Sequence, residues 1–142
     1  MKRLILAIGL ICIFSCSNDD FDNSLNGSWT VFSFENLTTG TTEFKTQENS
    51  WDKEIKIQFD DTRNPKIISG TNITNQISGE FIYVGQNQVK VSDLVSTYVN
   101  QPRWADEFVI AIRDEDLTFK IINDRLVIYY DNKSKSVTLK RD

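Results

Sequence analysis

The sequence predicts a mainly β (β-rich α+β) protein: a strongly curved antiparallel sheet or partial barrel of about eight strands, with one helix packed across it. Three observations lead to this fold class. Apolar and polar residues alternate in several short runs, which is the period of strands with one buried face. Turn-forming residues separate these runs, and one segment alone has helical spacing. Many short strands with regular turns are typical of an antiparallel sandwich or barrel.

The first residues are predicted to be a targeting segment. Lys2 and Arg3 precede an eleven-residue apolar run over residues 4–14, which is the pattern of a secretory signal. The run is shorter than the ~20 apolar residues that span a bilayer. We therefore predict a signal peptide over residues 1–15, a polar and acidic tether over 16–26, and one folded domain over 27–142.

Ile13-Phe14-Ser15-Cys16 resembles the lipobox of bacterial lipoproteins. The resemblance implies that Cys16 becomes the acylated mature N-terminus and that the membrane is a partner through its acyl chains. Cys12 would be removed with the signal peptide. The acidic residues after Cys16 look like an export signal of some Gram-negative bacteria, or they form a solvated spacer. The implied location is the Gram-negative cell envelope, as an outer-membrane lipoprotein, with surface exposure left open.

Strands follow in order along the body of the chain. Residues 27–34 are apolar on both faces, with Trp29 and Val31 on one and Phe32 and Phe34 on the other, which suits a strand covered from both sides. Alternation predicts further strands with apolar faces made of Ile55, Ile57 and Phe59; Val89 and Val91; Leu117, Phe119 and Ile121; Leu126, Ile128 and Tyr130; and Val137 and Leu139. The predicted inward residues are uniformly bulky, which favours a filled interior; they are Ile55, Ile57, Phe59, Val89, Val91, Phe119, Ile121, Leu126 and Ile128.

The predicted helix covers residues 101–113. Its apolar residues stand at 104, 105, 108, 111 and 112, which is helical spacing. Asn100 is the expected N-cap, and Pro102 suits the first turn.

Residues 68–81, ISGTNITNQISGEF, break the alternation with polar residues between two glycines. We interpret this stretch as a structural turn rather than a binding or catalytic loop. Gly70 and Gly79 are expected to give the backbone freedom at its edges. Asn75 is expected to hydrogen-bond the backbone of its own loop.

Taken together, these features resemble the META domain of HslJ-like proteins and of many envelope lipoproteins. The similar features, in chain order, are residues 25–29 (LNGSW), Gly70 with Asn75 and Gly79, Ser96-Thr97, Glu107-Phe108 with Ala111-Ile112, and Asn123-Asp124 before Leu126. The resemblance spans about residues 25–141 and implies a β-rich envelope domain, with a role in envelope stress by analogy. Many members carry cysteines where this chain has Thr74 and Gln101, so no thiol chemistry carries over.

Composition limits the function classes. The chain has 142 residues, 16 basic and 20 acidic, and a formal charge of −4, so the basic footprint of a nucleic-acid partner is absent. It has no histidine, the commonest general base and metal ligand. We interpret the acidic pairs at Asp60-Asp61 and 114–116 as turn residues rather than catalytic acids or calcium ligands. No catalytic residue, metal site or cofactor is predicted.

Trp51, in a polar loop, is a candidate surface aromatic for a ligand or partner; the alternative is a lid over the open end of the sheet. The predicted function is a non-enzymatic binding or interaction domain for an unknown envelope protein or small ligand. A lipocalin-like barrel for a small apolar ligand is the alternative. A hydrolase acting through acids requires two carboxylates to converge in one cleft.

Overall fold

A computed structural model describes residues 24–142 of the protein. The predicted signal peptide, Cys16 and most of the tether lie outside the described residues. Within them the elements are β1 (Gly27–Asn36), β2 (Thr41–Phe44), α1 (Gln47–Ser50), β3 (Ile55–Asp60), β4 (Lys66–Asn72), β5 (Asn75–Gly85), β6 (Gln88–Ser96), α2 (Arg103–Ile112), β7 (Leu117–Ile122), β8 (Arg125–Tyr130) and β9 (Lys135–Arg141).

The sheet closes on itself. Neighbouring strands are antiparallel, and β1 pairs with β9 as well as with β3, so that β1 and β3 to β9 form an eight-stranded barrel. The short strand β2 lies outside this ring and pairs with the second half of β1. The predicted mainly β architecture, a strongly curved antiparallel sheet with a helix across it, is confirmed. The single turn α1 was not predicted, because four residues are too few to show a helical period.

Side chains fill the barrel interior. Of the predicted inward residues, Ile55, Ile57, Phe59, Val89, Phe119, Leu126 and Ile128 are at most 3% exposed, while Val91 and Ile121 are partly buried. At one end of the barrel, Leu25 is fully buried just before β1, and its carbonyl accepts a hydrogen bond from Trp29 Nε1 at 2.8 Å. The interior is therefore a packed core, as the bulky inward residues predict.

α2 lies across the other end of the barrel, where β1, β4 and β8 finish. It meets Phe34, Asn72 and Tyr130 through Trp104, Ala105 and Glu107. Its buried residues are Trp104, Ala105, Phe108, Ala111 and Ile112, the five positions that the spacing predicts. The helix begins later than expected: Pro102, not Asn100, is the N-cap and makes no side-chain cap bond.

β1 has apolar residues at positions of both predicted faces because of a β-bulge, and not because the strand is covered from both sides. Its register against β9 shifts between Val31 and Ser33, so an extra residue forms a β-bulge. After the bulge, Phe34 joins the core, and its ring meets that of Trp104 edge-on with centroids 4.7 Å apart. The extra residue moves Phe34 to the same face as Trp29 and Val31, so all three share the core. Strict alternation places Phe34 on the opposite face, because it assumes a strand without a bulge. In the part of the chain that the structure describes, neither helix is long and apolar enough to cross a membrane.

Candidate functional site

The unusual stretch 68–81 is a hairpin rather than a long loop. β4 and β5 pair as far as Asn72 and Asn75, so the turn consists of Ile73 and Thr74 alone. Ile73 has a positive φ of 62°, which suits this tight connection. The polar residues that interrupt the sequence pattern thus lie on two paired strands.

Gly70 and Gly79 allow close approach between strands. A Cβ on Gly70 would lie 2.0 Å from the Lys56 carbonyl oxygen of β3, and one on Gly79 would lie 2.9 Å from the Ser92 carbonyl oxygen of β6. Neither glycine has a positive φ. The prediction that these glycines supply backbone freedom is therefore wrong. Both positions require glycine because a side chain would collide with the neighbouring strand.

Asn75 binds a distant segment instead of its own loop. Its Nδ2 donates to Val99 O at 2.9 Å and to Gln101 Oε1 at 2.5 Å. Its Oδ1 accepts from Val99 N at 2.8 Å and from Thr97 Oγ1 at 3.0 Å. The side chain is 2% exposed, so every polar atom of this buried amide is satisfied. The prediction that it ties its own loop is wrong, since these partners are 22 to 26 residues away.

Two further amides complete this arrangement, and we name Asn72, Asn75 and Gln101 the amide cluster. Asn72 is fully buried and donates to Ala105 O of α2 at 3.0 Å. Gln101 Nε2 donates to Asp106 at 2.6 Å. Asn72 Oδ1 has no hydrogen-bond partner within residues 24–142. The cluster attaches the connection between β6 and α2 to the β4–β5 hairpin.

A groove opens beside the amide cluster, between the end of β6 and α2. It has a volume of about 590 Å³ and is lined by Asn75, residues 96–101, Asp106, Val109, Ile110 and Arg113. Three of its lining side chains are exposed and largely apolar: Tyr98 is fully exposed, and Val99 and Ile110 are more than half exposed. We name it the β6–α2 groove.

The edge of β6 next to this groove is largely unpaired. β7 pairs with β6 only at Gln88 and Val89, so the described chain places no strand on that side of residues 90–96. Val95, in this part of β6, is 63% exposed. An unpaired strand edge and exposed apolar side chains thus occur together.

A second, polar cleft of about 400 Å³ lies on the other side of α2. Tyr130 OH donates to Glu107 at 2.7 Å, and Lys135 Nζ lies 3.8 Å from the same carboxylate. Burial, and then the bond to Glu107, raises the pKa of Tyr130, so its hydroxyl stays protonated. Glu43 pairs with Arg103 in this cleft. Three carboxylates line this cleft, those of Glu35, Glu43 and Glu107. Glu43 and Glu107 each pair with a cation, and these two pairs attach α2 to the barrel.

Of the acidic pairs singled out in the sequence, Asp60 and Asp114 stabilise turns, whereas Asp61 accepts from the hydroxyl groups of Ser24 and Tyr83. Asp60 accepts from Thr62 Oγ1 at 2.6 Å, which lowers the pKa of Asp60. Asp114 accepts from the backbone of Asp116 at 2.9 Å and of Asp131 at 2.5 Å. Within residues 24–142, no three acidic, histidine or cysteine side chains are grouped to hold a metal ion.

Trp51 lies at the surface at the C-terminal end of α1. Its side chain is 43% exposed, and its φ of 55° ends the helix in the left-handed conformation. It lies outside both clefts described above. Cys16, the predicted lipid-attachment residue, is outside the described residues.

Comparison with known proteins supports the fold. No protein-family model matches the chain, and no curated protein matches it in sequence. An NMR structure of a protein from Burkholderia xenovorans is similar, with a TM-score of 0.64 and 12% identity over 82% of both chains. A crystal structure of a DUF4847 family protein from Bacteroides vulgatus has a TM-score of 0.59 and 14% identity, over 82% of this chain and 93% of that one. At such identities the likeness extends to the fold alone.

Proposed function

We propose that this protein is a lipid-anchored, non-enzymatic binding domain of the cell envelope, related to the META domains. We further propose that its β6–α2 groove receives an extended segment of a partner protein. The observation that carries the proposal is the exposure of Tyr98, Val99 and Ile110 around one groove. Any role in envelope stress rests on family analogy.

The exposed residues form a cluster, which distinguishes them from ordinary surface side chains. Single exposed apolar residues are normal, whereas a contiguous patch marks an interaction site. Tyrosine is enriched at interfaces because it offers a large apolar area and a polar tip at low entropic cost. Tyr98 with Val99 and Ile110 therefore supports a protein-binding surface.

The unpaired edge of β6 favours an extended partner. A strand edge with unpaired N–H and C=O groups can take up an additional strand, with side-chain pockets that give specificity. Residues 90–96 offer such an edge beside the groove. The amide cluster holds residues 97–101 in place before binding, and such preorganisation lowers the entropic cost of association.

The test is site-specific photo-crosslinking in a native membrane fraction, with a photoreactive amino acid at position 98. Ile122, which is 45% exposed and lies outside the groove, is the matched control position. We expect a discrete crosslinked product from position 98 and none from 122. Ile110→Asp should remove that product while leaving the thermal unfolding midpoint unchanged. Equal crosslinking from both positions, or a product that survives Ile110→Asp, contradicts the proposal.

A lipocalin-like carrier of a small apolar ligand is the second candidate. An eight-stranded closed barrel favours it, because barrels of this size can hold one small ligand. The buried inward side chains weigh against it. A fluorescent fatty acid distinguishes the two: saturable binding that is lost on enlarging an inward residue, as in Val89→Phe, supports the carrier.

A further inference from the structure

A third groove lies on the barrel wall, where β2 and β3 diverge. β3 pairs with β1 at residues 27–30 and β2 at residues 33–36, while β9 occupies the opposite edge of β1. Val31 and Phe32 therefore have no strand partner on the β2–β3 side. The opening there has a volume of about 530 Å³, which we name the fork groove. It is large enough for a small ligand.

The fork groove is basic in an acidic domain. Five cations lie in or beside it, against the two carboxylates Glu54 and Asp142; the cations are Lys45, Lys56, Arg125, Lys140 and Arg141. Glu54 is shared by Lys45 at 3.6 Å and Lys56 at 3.3 Å. Within residues 24–142, no carboxylate lies within ion-pairing distance of Arg125, Lys140 or Arg141.

The net charge of the fork groove is opposite in sign to that of the domain as a whole. Residues 24–142 contain 14 basic and 17 acidic residues, a net −3, whereas the groove has five basic and two acidic ones, a net +3. The remainder of the domain therefore carries −6. A basic concave surface on a negative molecule concentrates anions locally and steers them to one place.

Two phenylalanines give the same groove an apolar side. Lys140 Nζ lies 3.9 Å and Arg125 Cζ 5.0 Å from the centre of the Phe32 ring, so this ring positions two cations. The Phe44 ring meets Phe32 edge-on with centroids 5.5 Å apart and is 52% exposed. Phe44 thus offers a free apolar surface beside the unpaired cations.

We infer that the fork groove binds an anionic amphiphile, with its phosphate or carboxylate group at Lys140 and Arg125 and its apolar part against Phe44. The ligand is either a free molecule or a lipid presented by a membrane. This inference does not depend on the β6–α2 groove. If the cations served only to keep the surface hydrated, the site would not discriminate an anionic amphiphile from a zwitterionic one.

The experiment uses the predicted mature chain, from residue 16 on, with Cys16→Ser, so that neither the apolar segment 4–14 nor an acyl chain contributes. Isothermal titration compares short-chain phosphatidic acid, short-chain phosphatidylcholine and inorganic phosphate, all below micelle-forming concentrations. We expect phosphatidic acid to bind at least about ten-fold more tightly than the other two. The affinity should fall as ionic strength rises, because exposed charges are screened.

Variants locate the site. The pair Arg125→Gln with Lys140→Gln should weaken phosphatidic acid binding about ten-fold, because charged hydrogen bonds are lost. The pair Lys90→Gln with Lys120→Gln makes the same change of charge at exposed positions outside the groove and should change it less than about two-fold. Lys140→Arg retains the charge and should bind like the native chain. Phe44→Ser should weaken the amphiphile but not inorganic phosphate.

Sedimentation with vesicles of phosphatidylglycerol or phosphatidylcholine identifies the source of the ligand. Binding to anionic vesicles alone, with no affinity for soluble phosphatidic acid, assigns the groove to a membrane surface, and the reverse assigns it to a free molecule. Three outcomes overturn the inference: no binding in either form, equal binding of phosphatidic acid and phosphatidylcholine, or equal losses in the two double variants.

Discussion

Asn75 and Val99 exchange two hydrogen bonds, in which Asn75 Nδ2 donates to Val99 O at 2.9 Å and Val99 N donates to Asn75 Oδ1 at 2.8 Å. The side-chain amide thereby pairs with the backbone as a neighbouring strand would. It continues the contact between β5 and β6 beyond Ser96, where the ladder ends. The chain after β6 is thus held against the hairpin before α2 crosses the barrel end.

Asn75→Ala should lower the free energy of unfolding by about 1–3 kcal/mol, because the substitution leaves the backbone N–H and C=O of Val99 without this partner. Urea denaturation measures the change. Gln86→Ala, in the exposed turn between β5 and β6, is the control and should stay within about 0.5 kcal/mol of the native value. A neutral Asn75→Ala would return residues 68–81 to the candidates for a binding loop.

Gly70→Ala should destabilise the barrel by about 1–3 kcal/mol or more, because its methyl group would overlap the Lys56 carbonyl oxygen and push β3 from β4. Gly85→Ala is the matched control. A Cβ there meets first the end of the flexible Gln88 side chain, which can move aside, so the change should stay within about 0.5 kcal/mol. Equal unfolding midpoints for the two variants would show that close approach at Gly70 is not required.

Local sequence patterns predict some parts of this fold correctly and miss others. Alternation identified the inward residues of β3, because Ile55, Ile57 and Phe59 obey a local period, and helical spacing identified the buried face of α2. The bulge that redirects Phe34 depends on the register against β9, about a hundred residues later in the chain. Partners of that kind leave no local period in the sequence.

The candidate sites were less predictable for the same reason. Asn75 was recognised as structural, but its partners stand in a segment that only the closed barrel brings near. The fork groove collects residues from β1, β2, β3, β8 and β9, from the connection after β2 and from the turn before β3, and its cations Lys45, Lys56 and Arg125 stand far apart in the sequence. Tyr98 and Val99 follow β6, and no local pattern in the sequence shows that these two side chains are exposed.

Tyr130→Phe should flatten the loss of stability at alkaline pH. The fold raises the pKa of Tyr130 above its ordinary value of 10.0, chiefly through burial and then through the bond to Glu107. The stabilising contribution of Tyr130 to the free energy of unfolding is therefore fully present below pH 10.0. It is lost as the pH rises toward the folded-state pKa, because the unfolded chain releases the proton first.

Urea denaturation between pH 8 and 11 measures this slope. Part of the alkaline loss should remain in the variant, since burial also raises the pKa of Tyr83. Tyr98→Phe, at a fully exposed position, is the control and should follow the native curve. Parallel curves for Tyr130→Phe and the native chain would contradict the role assigned to this hydroxyl.

Cys16→Ala should release the protein from the membrane while the domain stays folded. The lipobox-like stretch makes Cys16 the predicted acylation point, and two or three acyl chains, at ~0.8 kcal/mol per buried CH₂, form a durable anchor. No helix of residues 24–142 can substitute by crossing the bilayer. Fractionation of cells followed by immunodetection measures the distribution, and circular dichroism of the released protein checks the fold.

Cys12→Ala is the matched control, because Cys12 lies within the predicted signal peptide and should be absent from the mature chain. That variant should stay in the membrane fraction, and metabolic labelling with a radioactive fatty acid should mark it but not Cys16→Ala. If Cys16→Ala still sediments with membranes and carries the label, the chain is not anchored at this cysteine. If it sediments without label although residues 1–15 have been removed, the barrel itself adheres. The anionic vesicles used for the fork groove then show whether a lipid surface or a membrane protein holds it.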